Sequence, residues 1–259
     1  MRLAIAIALI LSAFTVSPAT AAEREKLLTD PGVYVTFAVF QVDEDWWDLD
    51  AASRQSATAA VREAVQKHAD RVAADSYLSR GLADRADFFL RLHAAELAHN
   101  QALLVDLLAT PMGRHLNMIG SFNGLTKKTN YVSGFPEEMK TALKTPAEVG
   151  GKPYAIMMPV RKDAAWWLMD KEARQKQIQE HTQAALPYLK TVKRKLYHST
   201  GLDDFDFLTY FETTKLEDFH NLILALQSVE EFKHVTRLGH PILLGTATPL
   251  DDLMTTLSR

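Results

Sequence analysis

The residues of this chain that could do chemistry together are His181, Glu231, Arg194 and Lys162, and all four lie in its second half. The first half acts as an internal control, because the two halves resemble each other. Tyr34 to Val42 runs into Trp46-Trp47 and then a helical stretch, and Tyr154 to Lys162 runs into Trp166-Trp167 and then another. Ala86-Asp87-Phe88-Phe89-Leu90 answers Phe205-Asp206-Phe207-Leu208-Thr209. An internal repeat of this kind bounds the fold before any local reading. Val61 stands where the second half has His181, and Met112 stands where it has Glu231. Val and Met satisfy packing in one copy. The polar residues of the other copy need a different reason, and a single site per chain supplies it.

His181 shares a helical stripe with Ile178, Ala185 and Tyr188, so it faces inward. Two readings stand: a hydrogen-bonded core histidine, or a metal ligand. A metal-bound His gives its other ring N–H to a carboxylate or carbonyl, which fixes the tautomer and raises its basicity; Glu231 suits that part. A His with a buried carboxylate partner is what a haem iron needs on its proximal side. In Thr191–Tyr197, read as a strand, Val192, Arg194 and Leu196 share one face, and Lys193, Lys195 and Tyr197 share the other. Arg194 is thus aligned with apolar neighbours while the lysines point away. An inward Arg is costly without a carboxylate partner or a bound anion, and both stay open. Trp166 and Trp167 read as core aromatics because Trp46-Trp47 match them, although one of the later pair could pack on a flat cofactor. Lys162 ends a strand, where it is either solvated or neutralises a carboxylate.

The chain has 259 residues, 47% hydrophobic and 24% charged, which is an ordinary globular balance. Its net charge of -3 leaves no basic footprint for nucleic acid. Met1-Arg2 precedes the short apolar run Leu3–Leu11, and Ala19-Thr20-Ala21 fits a small-x-small cleavage site. Residues 1–21 therefore read as a secretory leader, with a mature, periplasmic chain starting near Ala22 and no membrane attachment after cleavage; an uncleaved N-terminal anchor is the other reading of the same pattern. Cysteine is absent. Disulfides, thiolate catalysis, iron–sulfur clusters and covalent c-type haem are excluded on that ground.

Positioning these residues requires a particular order of elements. Gly32–Val42 reads as a strand, Asp50 to about Ala74 as a helix, Asp87–Leu92 as a strand and Glu96–Leu108 as a helix stopped by Pro111 and Gly113. Ser121–Phe135 reads as irregular or strand, and the Pro- and Gly-containing stretch 136–153 as a linker. Strands then fall at Tyr154–Arg161, Thr191–Tyr197 and Asp206–Phe211, with helices at Asp170 to about Ala185 and at Leu216–Val229, and a last strand at Pro241–Gly245. Each half is roughly β-α-β-β-α-β, the ferredoxin-like unit. The expected architecture is α+β: an N-terminal unit over 22–135 without cofactor and a C-terminal unit over 154–259 with the site. Their sheets would pair into a barrel with helices outside, which removes open edges.

The chain resembles the chlorite dismutases. The resemblance is carried by Pro159-Val160-Arg161-Lys162-Asp163-Ala164-Ala165-Trp166-Trp167, Glu180-His181-Thr182, Val192-Lys193-Arg194-Lys195-Leu196-Tyr197-His198-Ser199-Thr200-Gly201-Leu202-Asp203-Asp204, Asp206-Phe207, Thr209-Tyr210-Phe211-Glu212 and Leu244-Gly245-Thr246. It covers nearly all of the second half, and the first half more loosely, as in the long exported pentameric members. It implies a dimeric α/β-barrel fold, haem b in the second half and a homopentamer. It also implies that His181 is the iron ligand, that Glu231 and Lys162 are its hydrogen-bond partners, and that Arg194 is the distal charged residue. Thr209 and Phe211 would line the distal side, and Trp166 and Tyr131 would lie near the haem edge and propionates. His198 matches no iron ligand. The implied reaction takes the anion chlorite to chloride and O2, by oxygen transfer to ferric haem and recombination with hypochlorite. Related haem decarboxylases on the same fold usually lack the distal Arg. A peroxidase-like relative and a haem-binding barrel without turnover are the other readings.

Overall fold

The computed structural model describes residues 19–128, 137 and 153–259. Most of the expected leader, Tyr131 and nearly all of the 136–153 linker lie outside the described residues. After α1 (Ala19–Thr29) the first unit runs β1 (Tyr34–Val42), α2 (Ala51–Lys67), β2 (Val72–Leu78), β3 (Phe88–Ala94), α3 (Leu97–Leu108) and β4 (Leu116–Leu125). The second runs β5 (Tyr154–Lys162), α4 (Ala164–Leu168), α5 (Lys171–Ala185), β6 (Val192–His198), β7 (Phe207–Thr213), α6 (Leu216–Leu226), β8 (Val235–Leu238) and β9 (Leu243–Ala247); α7 (Leu250–Leu257) follows.

The strand order is β7-β6-β4-β1-β3-β2-β9-β5-β8, and β7 also pairs with β5, so eight strands close on themselves and β8 hangs on β5. β1 and β5 are buried on both faces. One face lines the barrel and the other lies under helices, which is why each reads as an unbroken apolar run rather than an alternation. The two units meet at narrow seams. β4 touches β6 at Leu125↔His198, and β2 touches β9 at Tyr77↔Ala247 and Leu78↔Thr246. Each seam carries a glycine against a serine from the other unit. A Cβ on Gly124 would stand 2.9 Å from Ser199 Oγ, and one on Gly245 would stand 2.9 Å from Leu78 O and 3.1 Å from Ser79 Oγ. The chain can close there only without a side chain.

Three apolar layers result. The barrel interior holds Val35, Phe37, Tyr77, Phe89, Met157, Tyr197, Leu208 and Tyr210. The outer layer of the first unit packs Phe40, Val61, Leu90, Leu92, Leu103 and Met112 with Leu253, Met254 and Leu257 of α7. The outer layer of the second unit is thinner: Ile156, Met158, Ala185, Val192, Phe211 and Leu222.

Several elements depart from expectation: α1 and α4 form where the sequence marks none, and β4 starts at Leu116 rather than Ser121. The helix expected to reach Ala74 stops at Lys67, and Val72–Leu78 is a strand. Neither Gly nor Pro marks the break. His68 closes the helix by donating its N–H to Val65 O at 3.1 Å, and Arg71 N–H turns back to His68 O at 3.0 Å. Pairing of Val72–Leu78 along the whole of β3 then overrides local helix propensity. β8 and α7 carry no distinguishing cue in the sequence. β8 is four residues long, and α7 is made by docking on the first unit, where Trp46 Nε1 donates to Leu257 O at 2.8 Å.

Candidate active site

α5 begins where the Asp170 side chain accepts the Ala173 N–H at 2.7 Å, so its first turn is capped. It ends at Ala185, and a short connection turns the chain into β6. Ala185, Val192 and Phe211 share one buried cluster. Helix and strand run in opposite directions. Stepping back one turn from Ala185 to His181 (~6 Å) and forward one pleat from Val192 to Arg194 (~6.6 Å) therefore lead the same way. His181 on α5 and Arg194 on the outer face of β6 therefore lie toward the same end of the second unit, on two elements packed through one cluster. Arg194 pairs across the strands with Phe211, and Leu196 with Thr209. Thr209 donates its hydroxyl to Met158 O at 2.7 Å, which satisfies its one polar side-chain atom within the sheet. Leu196 is 36% exposed there despite lying in mid-strand.

The His181 wall is a hydrogen-bonded chain. His181 Nδ1 lies 2.6 Å from Glu231 Oε2, and Lys162 Nζ donates to Glu231 Oε1. Burial pushes the Glu231 carboxyl up. The hydrogen bond and charge of His181, with Lys162 behind them, outweigh that and hold it at about 2. Burial pulls the Lys162 ammonium below its ordinary value against the opposing pull of Glu231. Using Nδ1 for the carboxylate leaves Nε2 as the nitrogen for a metal. Lys162 is aimed by its backbone: its N–H donates to Asp206 Oδ2 at 2.7 Å, at a register shift in β5 between Arg161 and Lys162. Its ammonium also lies 4.4 Å from the Trp166 ring centroid, which places Trp166 beside this chain. Trp166 is held in turn by Asp163, which accepts its N–H at 2.7 Å and meets His234 Nδ1 at 3.1 Å. Asp206, Asp163 and His234 were not singled out as site residues from the sequence, although both aspartates sit in the stretches that carry the resemblance.

The internal control is sharper in three dimensions. The first unit has Val42 at the place of Lys162, Val61 at that of His181 and Met112 at that of Glu231, and all three lie in its apolar layer. Asp87 accepts the Val42 N–H at 2.7 Å as Asp206 accepts that of Lys162, so the backbone frame is the same. Ala74 replaces Arg194, Leu90 replaces Thr209 and Leu92 replaces Phe211. α7 fills the slot over β2, whereas among the described residues no segment takes that place over β6. The imidazole with its carboxylate on one side, and the outer face of β6 and β7 with Phe211, Thr209, Leu196 and Arg194 on the other, fit a flat haem group with an anion beside it.

The chlorite dismutase family model matches residues 54–248. The chain is 42% identical to the chlorite dismutase of Ideonella dechloratans over 92% of its own length and 85% of that protein. It is 25% identical to a coproheme decarboxylase of Mycolicibacterium smegmatis over 178 residues. Among solved structures it is similar to the chlorite dismutase of Candidatus Nitrospira defluvii in complex with imidazole. That match has 56% identity and a TM-score of 0.88, and it covers 92% of this chain and 100% of that one. A haem-binding protein from Thermus thermophilus shares the fold at 17% identity and a TM-score of 0.76. With the family model covering most of the chain and a curated relative this similar over nearly all of it, the chain belongs to the chlorite dismutase family.

Proposed function

We propose that the protein is a haem b enzyme that converts chlorite to chloride and dioxygen, working as an exported homopentamer. The observation that carries the haem reading is the Lys162–Glu231–His181 chain, whose three members are Val42, Met112 and Val61 in the other unit. Bound haem would supply the iron centre that takes an oxygen atom from chlorite and returns it in forming the O–O bond. His181 Nε2 would hold that iron. Glu231 keeps a proton on Nδ1 shared and the ring fixed in plane, and Lys162 keeps Glu231 ionised. Arg194 stays protonated at any working pH. From the opposite wall it would attract the chlorite anion and hold the hypochlorite fragment until the oxygens join. Thr209 and Phe211 would line that wall beside it. Export rests on the leader-like pattern of residues 1–21, and the pentamer on resemblance to the long exported members. An oxygen electrode tests the reading directly: chlorite added to haem-loaded protein should release one O2 per chloride formed, and absence of O2 refutes it.

A further inference from the structure

β6 carries Arg194 on its outer face and turns the next residue, Lys195, to the other side. The strand is unevenly supported. It pairs with β7 from Val192 to His198, but among the described residues it meets β4 only at His198. Among the described residues the stretch around Arg194 is therefore paired with one neighbouring strand. What it has instead is α1. Lys195 Nζ donates to Leu28 O at 2.8 Å. Leu28 lies in the last turn of α1, where carbonyls lack helical partners and the helix dipole favours a cation. Leu28 is itself buried.

The same helix reaches the other unit at the matching place. Residue 75 in β2 corresponds to residue 195 in β6, and it is Asp75. Arg24 of α1 donates to Asp75 Oδ1 at 2.6 Å, and Asp75 is tied in turn to buried Arg91 at 2.9 Å. One helix thus bridges two repeat-related positions of opposite polarity across an end of the barrel. Burial, with Arg91 nearby, lowers the Lys195 ammonium below its ordinary value, so its position there is not that of a solvated surface lysine.

We infer that Lys195 is a positioning residue: by binding the Leu28 carbonyl it ties β6 to α1 and so keeps Arg194 at its place over the reacting anion. This rests on the reading of Arg194 given above. The test uses the full, haem-loaded chain with Lys195→Met, Lys195→Arg and, for comparison, Arg194→Ala. Hydrogen exchange of the Val192–Tyr197 amides and trapping of released hypochlorite by methionine are both measured. Lys195→Met should speed exchange and raise both trapped hypochlorite and the chlorite KM by roughly 2–10-fold, the range set by loss of one hydrogen bond. The Soret band should not move, and Lys195→Arg should restore the parent values. If exchange or trapping stays at the parent level while Arg194→Ala leaks, the role of Lys195 is overturned and that of Arg194 stands. If Arg194→Ala itself does not leak, both fall. Should Lys195→Met fail to fold, Arg24→Met loosens α1 from its other, more exposed anchor. It should give the same exchange and leakage signature, and parent values there refute the inference.

Discussion

Replacing Glu231 by Gln keeps the shape of the side chain and removes its charge, so it isolates what the carboxylate does. Its environment lowers the Glu231 pKa from 4.5 to about 2. At 1.36 kcal/mol per unit this is about 3 kcal/mol in favour of the ionised form. Gln forfeits that and leaves the Lys162 ammonium, with its side chain 3% exposed, facing a neutral partner. Removing one member of a buried pair costs on the order of 3–5 kcal/mol. A loss of about 3 kcal/mol corresponds to roughly 6–12 °C in Tm for a chain this size. The haem-free protein should show that loss in urea or heat, and Lys162→Met together with Glu231→Gln should recover part of it because the stranded charge is gone. In the haem-loaded protein His181 becomes less imidazolate-like, so the Fe(III)/Fe(II) potential should rise. The pH dependence has a definite sign. A carboxyl with a lowered folded-state pKa stabilises above its unfolded value and loses that contribution as pH falls, here between 4.5 and about 2. The gap between parent and Glu231→Gln should therefore close across that window. A variant within about 1 kcal/mol of the parent at pH 7, with an unchanged potential, would show that Glu231 does not couple Lys162 to His181.

His181→Ala should leave the fold intact and lose haem; full occupancy with an unmoved Soret band would refute the ligand assignment. Arg194→Ala should bind haem normally, turn over chlorite more slowly by less than the roughly 10²-fold typical of a preorganised charge-stabilising group, and inactivate sooner unless methionine is present. Full activity without extra trappable hypochlorite would make Arg194 a structural ion-pair member. Gly124→Ala should destabilise by about 1–3 kcal/mol as the β4–β6 seam opens to admit a methyl; an unchanged urea midpoint would show that the seam is looser than 2.9 Å implies.

Much of the site was legible because the repeat exposed it. Valines and a methionine in the first unit mark where the second departs from packing, and a single His–Glu pair is enough to suggest proximal chemistry. The strand alternation puts Arg194 on one face and the lysines on the other. What alternation could not say is what lay on the far side: Tyr197 is buried in the barrel interior and Lys195 reaches α1, so that face is not a solvent face. The end of α2 was missed because its stop is a backbone turn at His68–Arg71 with no Gly or Pro. α7 was missed because its helical form depends on a surface more than 150 residues away in the chain, at Trp46 and Val61. From its residue type alone Lys162 stays open between solvation and pairing with a carboxylate, and the structure gives the pairing with Glu231. Its direction is set by the register shift in β5 and the Asp206 carboxylate, neither of which shows in the residue type.

The asymmetry between the units has a physical logic. A flat cofactor needs a cleft, and a cleft removes side-chain contacts that would otherwise stabilise the outer layer of a unit. The second unit also carries a partly buried Lys–Glu–His chain, in which loss of one member leaves a charge without its partner. With no cysteine the chain has no disulfide to offset this. The first unit does so instead. It has the same strand frame, but Val42, Val61 and Met112 are packed at 6%, 1% and 0% exposure, and α7 covers a slot over β2 that no described residue fills over β6. Because the strands of both units form one closed barrel, the stability of the apolar unit is transmitted through the β4–β6 and β2–β9 seams to the strands that hold Arg194, Thr209 and Phe211. Duplication with divergence thus lets one copy specialise in packing and the other in chemistry.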